Sequence, residues 1–319
     1  MHGVPLPLPK QSRPLNRTNM PSSTTPKPHD SQAWLQHSDP ELRIFYTECL
    51  PTSSPKPKGT ILLIHGFPET SHQFRHVLVP LADAGYGVLA PDYRGHGYSS
   101  KPPDGYTKAI IAQDLHKLVT EHLGIKEKIH VVGHDIGGMI AHAYAAQFPA
   151  HVASICWGEC PLPGTRLYED VKHTSLVWHF NFQAQTDMAV ALTTGKERMY
   201  LKHFFDRLAT NQAAFTEKDL DFYTAQYAQA GALRAAFTTY RMFEEDARQN
   251  RKWLEESGKV QVRCMGLFCE NLFEAARAQE MVSEVYENVE MGVMKDCGHY
   301  LAEEDPESFV KLVLGFVEK

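Results

Sequence analysis

The sequence predicts an α/β fold: a mostly parallel, twisted sheet with helices on both faces and a block of helices inserted late in the chain. Three observations carry this. Short apolar runs of buried-strand type, such as TILLIHG at 60–66 and IHVVG at 129–133, alternate with stretches of helical spacing. The alternation stops near Pro161, and helix-like, aromatic-rich sequence continues to about Glu256. Strand-type runs then return at 260–268 and 289–294.

The elements follow in order. Residues 1–40 read as a disordered tail: the first 29 hold seven prolines, four Lys/Arg and neither Asp nor Glu. PLPLPK at 5–10 breaks any secretory apolar run, and the prolines oppose the amphipathic helix of a transit peptide. LRIFYT at 42–47 alternates like an antiparallel strand, and SSPKPKG at 53–59 is a turn. Strand 60–66, helix 73–84, strand 87–92, helix 110–123, strand 129–133, helix 136–148 and strand 153–157 come next. After the helical block and the two returning strands, a last helix spans 306–317. The core is thus expected at 41–160 and 257–319. The insertion at 161–256 reads as a lid over the carboxyl edge of the sheet, where open α/β sheets hold ligands.

Composition narrows the function. The 319 residues are 43% hydrophobic and 22% charged, with a net charge of −6, so a nucleic-acid surface is not expected. No apolar run approaches the roughly 18 residues of a membrane helix. The six cysteines form no CxxC and sit in or beside apolar runs, which points to buried thiols in a reducing, cytoplasmic setting. The histidines form no HExxH, and neither metal nor cofactor is expected.

The chemistry concentrates at VVGHDIGG, 131–138, where a strand enters a tight turn and a helix starts at once. Gly133 and Gly137 let the backbone fold sharply and present Asp135 at the mouth of the helix, beside N–H groups that can stabilise an oxyanion. Asp is also a common helix cap, so the motif alone leaves both readings open. As a nucleophile, a carboxylate suits a saturated carbon. It is ionised at neutral pH, and its attack leaves an ester that base-activated water can cleave, where a serine would leave an inert ether. His299, in DCGHYLAEEDP at 296–306, follows the final strand and is the candidate base. For the acid that orients it, Glu159 in CWGECPLPG is preferred to Glu270, because it follows the strand after the elbow. Leu272 occupies the place where many such chains carry Asp.

These motifs resemble the nucleophile elbow of α/β-hydrolases, and over 42–319 the chain resembles their epoxide hydrolases. His65-Gly66-Phe67-Pro68 looks like the HGxP element of that family, and DYRGHGYSSKP at 92–102 like the loop after its next strand. WHFNF at 178–182, GKERMYLKHFFDR at 195–207 and TTYRMFEED at 238–246 resemble the lid of the Cif-like subgroup. The resemblance implies an α/β-hydrolase fold, Glu159 as triad acid, and ring opening assisted by His179 and Tyr240. It implies oxyanion N–H groups from Phe67 and Ile136, with His65 and Phe180 on the oxyanion and substrate side. Trp178, Phe180, Phe182, Phe237 and Phe243 also fit a plain lid core.

The expected activity is hydrolysis of an apolar epoxide to a vicinal diol through an aspartyl ester, with water as co-substrate. A homodimer is the oligomer kept open, and neither membrane nor nucleic acid is an expected partner. Fluoroacetate dehalogenases share the triad layout, but Ile136 and Met139 offer no cation for a substrate carboxylate, and Phe180 offers no N–H for halide. Haloalkane dehalogenation stays a rival, as does a non-catalytic ligand-binding protein on the same fold.

Overall fold

The computed structural model describes residues 25–35, 41–54, 56–271 and 274–319. Eight strands form one sheet: β1 Pro28–Leu35, β2 Leu42–Cys49, β3 Thr60–Ile64, β4 Gly87–Asp92, β5 Ile129–His134, β6 Val152–Gly158, β7 Arg263–Cys269 and β8 Val289–Met294. Their spatial order is β1-β2-β4-β3-β5-β6-β7-β8. β1 and β2 run antiparallel to each other, β2 runs antiparallel to β4, and every later pairing is parallel. Side chains alternate across the sheet as the two-residue pleat requires. Leu62 and Ile64 enter one apolar core and Ile61 and Leu63 the other, so both faces are covered. The fold class expected from the sequence is the one observed.

The tail ends earlier than expected. Pro28–Leu35 is a strand, paired residue by residue with β2, and it buries Ala33 and Leu35. PHDSQAWL carries little intrinsic strand preference; the open edge of β2 decides its conformation. The rest of the expected tail, 1–24 and 36–40, lies outside the described residues. The helix expected at 73–84 is also divided, into a 3-10 turn Ser71–Phe74 and a helix Leu78–Asp83. Pro80 falls in the first turn of that helix, where its missing N–H costs no helical bond. At 260–268 the strand begins only at Arg263; Val260 makes an isolated bridge to Tyr286.

Between β6 and β7 the chain forms only helices and turns, from Arg166–Val171 to Phe243–Ser257. Helix Ala232–Arg241 shows why this block packs inward. Leu233, Ala236, Phe237 and Tyr240 recur at helical spacing and are all buried. A buried ion pair ties it to the core: Lys108 Nζ lies 2.7 Å from Asp246 and donates to the Thr239 carbonyl at 2.6 Å. All six cysteines are buried and unbridged. Among the described residues no helix is long and apolar enough to cross a membrane.

Candidate active site

Parallel register assembles the site. Ile64 sits beside Gly133, Gly133 beside Trp157, and Trp157 beside Gly266. The carboxyl ends of β3, β5, β6 and β7 therefore meet at one sheet edge, and the loops after them share a small space. At the elbow Asp135 adopts φ 54° and ψ −123°, which few non-glycine residues hold without constraint. Glycine makes the turn possible: a Cβ at Gly137 would lie 2.0 Å from the Ile64 carbonyl, and one at Gly133 would lie 2.2 Å from the Gly137 carbonyl. Glu159, directly after β6, also has positive φ, at 61°.

Three ionisable groups converge there. His299 Nδ1 lies 3.1 Å from Glu159 Oε2, and His299 Nε2 lies 4.0 Å from Asp135 Oδ2. Glu159 Oε1 accepts the Cys269 N–H at 2.5 Å, so the acid is fixed by the end of β7 as well as by the histidine. Glu270 is elsewhere: its carboxylate takes the Asp296 N–H at an exposed position. Leu272 is outside the described residues.

Burial pushes the Asp135 carboxyl above its ordinary range. His299, the N–H groups of Phe67 and Ile136, and Lys108 pull the other way and favour the ionised form. The Phe67 N–H donates to Asp135 Oδ1 at 2.8 Å. Burial alone would lower His299, but the hydrogen bond to Glu159 and the charges of Asp135, Glu159 and Glu304 outweigh it and hold the imidazole above its ordinary range.

A cavity of about 40 Å³ opens on this trio, lined by Phe67, Asp135, Glu159 and His299 from the core. Its opposite wall comes from the insertion: Leu176, Val177, His179, Phe180, Phe204, Leu208 and Tyr240. The His179 and Tyr240 rings are 5.5 Å apart, and the Phe67 ring packs edge-on against Tyr240, also at 5.5 Å. Burial, and then the neighbouring His299, push His179 down to about 3, so it is neutral at any ordinary pH. Burial and the charge of Asp135 raise the Tyr240 hydroxyl well above its usual range, so it keeps its proton.

One expectation needs correction. The His65 side chain does not reach the cavity. It stacks on Tyr93 at 4.3 Å, fully buried, and its Nδ1 lies 3.0 Å from the Gly66 carbonyl, so it shapes the loop that carries Phe67. Ile136 turns its N–H toward Asp135 and keeps its side chain in the core. Sequence reasoning missed Phe204 and Leu208 as wall residues. The quoted segment 195–207 contains Phe204, but helical spacing alone cannot separate a wall residue from a core residue.

A carboxylate at an elbow, an imidazole–carboxylate pair beside it, and a parallel sheet beneath define a nucleophile-elbow hydrolase. The chain belongs to the α/β-hydrolase fold family, whose model matches residues 59–237. It is 30% identical over 262 residues to the soluble epoxide hydrolase of Corynebacterium sp. (strain C12), covering 80% of this chain and 89% of that protein. It is 32% identical over 190 residues to a fluoroacetate dehalogenase of Burkholderia sp., covering 57% and 61% of the two chains. The crystal structure of the Cif epoxide hydrolase from Acinetobacter nosocomialis superposes with a TM-score of 0.80 at 22% identity. It covers 90% of this chain and 88% of that one, a likeness of fold.

Proposed function

We propose that this hydrolase opens an apolar epoxide to a vicinal diol through a covalent ester on Asp135. In the first step an Asp135 oxygen bonds to a ring carbon and the C–O bond of the ring breaks. The departing oxygen takes the Tyr240 proton, with the His179 N–H as a second donor. The carbonyl oxygen of the ester keeps the N–H groups of Phe67 and Ile136. In the second step His299 takes a proton from water, and the oxygen of that water adds to the Asp135 carbonyl carbon. The diol oxygen leaves with the proton held by His299. The regenerated acid returns its own proton to Tyr240, so the sum is epoxide plus water to diol. Esterification removes the Asp135 charge, one of the influences that raise His299, so more of the imidazole is in the neutral form that can accept a proton from water.

One observation carries this reading: Asp135, held by the Phe67 N–H and faced by His299, shares a single cavity with His179 and Tyr240 on the opposite wall. The seating of Glu159 against His299 supports catalysis over mere binding, since every member of the triad is present. Among the described residues neither Arg nor Lys lines the cavity, which argues against a substrate carboxylate and therefore against haloacid chemistry. The insertion then acts as the lid. The test is turnover of styrene oxide in oxygen-18 water. The diol carries label over multiple turnovers, and His299→Ala traps an ester on Asp135 visible by intact mass. Absence of both adduct and diol across a panel of epoxides would overturn the assignment.

A further inference from the structure

The segment that carries the base holds two buried carboxylates the scheme above does not use, Glu303 and Glu304. Glu304 is 7% exposed and lies five residues beyond His299. Its carboxylate accepts four backbone N–H groups from two segments distant in sequence. Oε1 takes Tyr300 at 2.9 Å. Oε2 takes Gly298 at 2.9 Å and both Thr210 and Asn211 at 2.8 Å. Gly298 and Tyr300 flank the base on either side, while Thr210 and Asn211 follow the insertion helix Glu197–Leu208.

The same segments meet at further points. The His299 N–H donates to the Leu208 carbonyl at 3.0 Å, and Asn211 Nδ2 donates to the Glu304 carbonyl at 3.2 Å. Their approach is close enough that a Cβ on Gly298 would lie 2.4 Å from the Thr210 nitrogen and 2.5 Å from the Leu208 oxygen. Leu208 itself lines the cavity. A carboxylate can accept several N–H donors at once; an amide offers one oxygen and turns its NH2 toward donors.

We propose that Glu304 is a positioning residue that fixes both flanks of His299 and couples them to the seat of the insertion, so that the base is aimed at the ester while the insertion is seated. This rests on the epoxide hydrolase reading. His299 is faced by Asp135, Glu159 and Glu304 as acids, by His134 and His179 as imidazoles lowered by burial, and by the Tyr300 phenol. Removing the Glu304 charge therefore withdraws one influence that raises His299.

The experiment compares wild type, Glu304→Gln, Glu304→Asp and Gly298→Ala in rapid-mixing kinetics with styrene oxide. An NMR titration of the labelled His299 imidazole runs beside it. A displaced base predicts that ester hydrolysis slows by about tenfold to about 100-fold, the loss a misplacement of ~1 Å produces. Ester formation stays near the wild-type rate, so ester accumulates, and the His299 midpoint falls in Glu304→Gln. Gly298→Ala, whose Cβ would lie 2.8 Å from Glu304 Oε1 as well as against Thr210 and Leu208, keeps the charge but wedges the segments apart and slows hydrolysis. Equal loss in both steps, or an unmoved His299 midpoint with wild-type hydrolysis, overturns the proposal. Should Glu304→Gln fail to fold, Glu304→Asp and Gly298→Ala carry the kinetic test. Should wild type form neither ester nor diol, the functional reading fails, while the titration still decides whether Glu304 controls His299.

Discussion

Two histidines face the same cavity from opposite sides, and their surroundings give them opposite chemistry. His299 comes from the sheet edge and touches Glu159, with Asp135 and Glu304 close by; these acids raise it despite complete burial. His179 comes from the insertion and sits among Phe180, Phe204 and Tyr240, where burial lowers it to about 3. The lesson is that burial lowers both imidazoles, and the acids each can reach decide whether that lowering stands. The sheet edge holds an imidazole whose charged form nearby acids favour, and the insertion holds one that burial keeps neutral.

Substitutions on each side should separate these roles. The largest effect is expected for Asp135→Asn. Loss of the nucleophile should lower turnover by roughly 10⁴-fold or more, as removal of a covalent catalyst does in comparable triads. Diol formation under single-turnover conditions measures it, and retained ester chemistry would break the comparison at its base. Next comes Lys108→Met, which strands Asp246 as an unpaired charge beneath the insertion. A loss of about 3–5 kcal/mol in stability is expected, measured by urea unfolding. In the proposed scheme Tyr240→Phe and His179→Phe each remove one donor to the leaving oxygen and should slow ester formation by about 10²-fold, with hydrolysis spared.

The pH response sharpens the contrast further. In the proposed scheme ester hydrolysis needs neutral His299, so its rate should rise with pH through the folded midpoint of that group. With Asp135 esterified, that midpoint should lie below the one NMR finds in the free enzyme. For stability the sign is reversed. A histidine raised on folding contributes fully below its unfolded value near 6.5 and loses that contribution as pH climbs through the folded value. Urea midpoints of wild type and His299→Gln should therefore converge on the alkaline side. His179, neutral throughout, should add no limb to the profile. The smallest effect belongs to Glu270→Gln, whose exposed carboxylate receives the Asp296 N–H; turnover near wild type would separate it from Glu159→Gln, which should be severely slowed.

Much of the core was legible because its signals are local. A strand, a glycine pair and an acidic residue in VVGHDIGG specify the elbow within eight residues, and burial on both sides makes the parallel strands read as apolar runs. The chain order placed His299 last, where the fold carries it. Other features were not legible. Pro28–Leu35 became a strand because β2 offered it an unpaired edge, which no property of those eight residues announces. His65 stands in a quoted motif, yet its ring stacks on Tyr93, a contact made by the loop after β4.

The sequence by itself determined the candidate nucleophile, since residue type and turn geometry at Asp135 are written within one short stretch. It determined the sheet as well, because two-residue and helical periodicities are properties of neighbouring positions. Only the tertiary structure decided which of two glutamates reaches His299, which aromatic rings form the cavity wall, and that Glu304 joins the base to the insertion. Those choices depend on contacts between residues tens to more than a hundred positions apart. Register and close packing fix such contacts, and no local pattern encodes them.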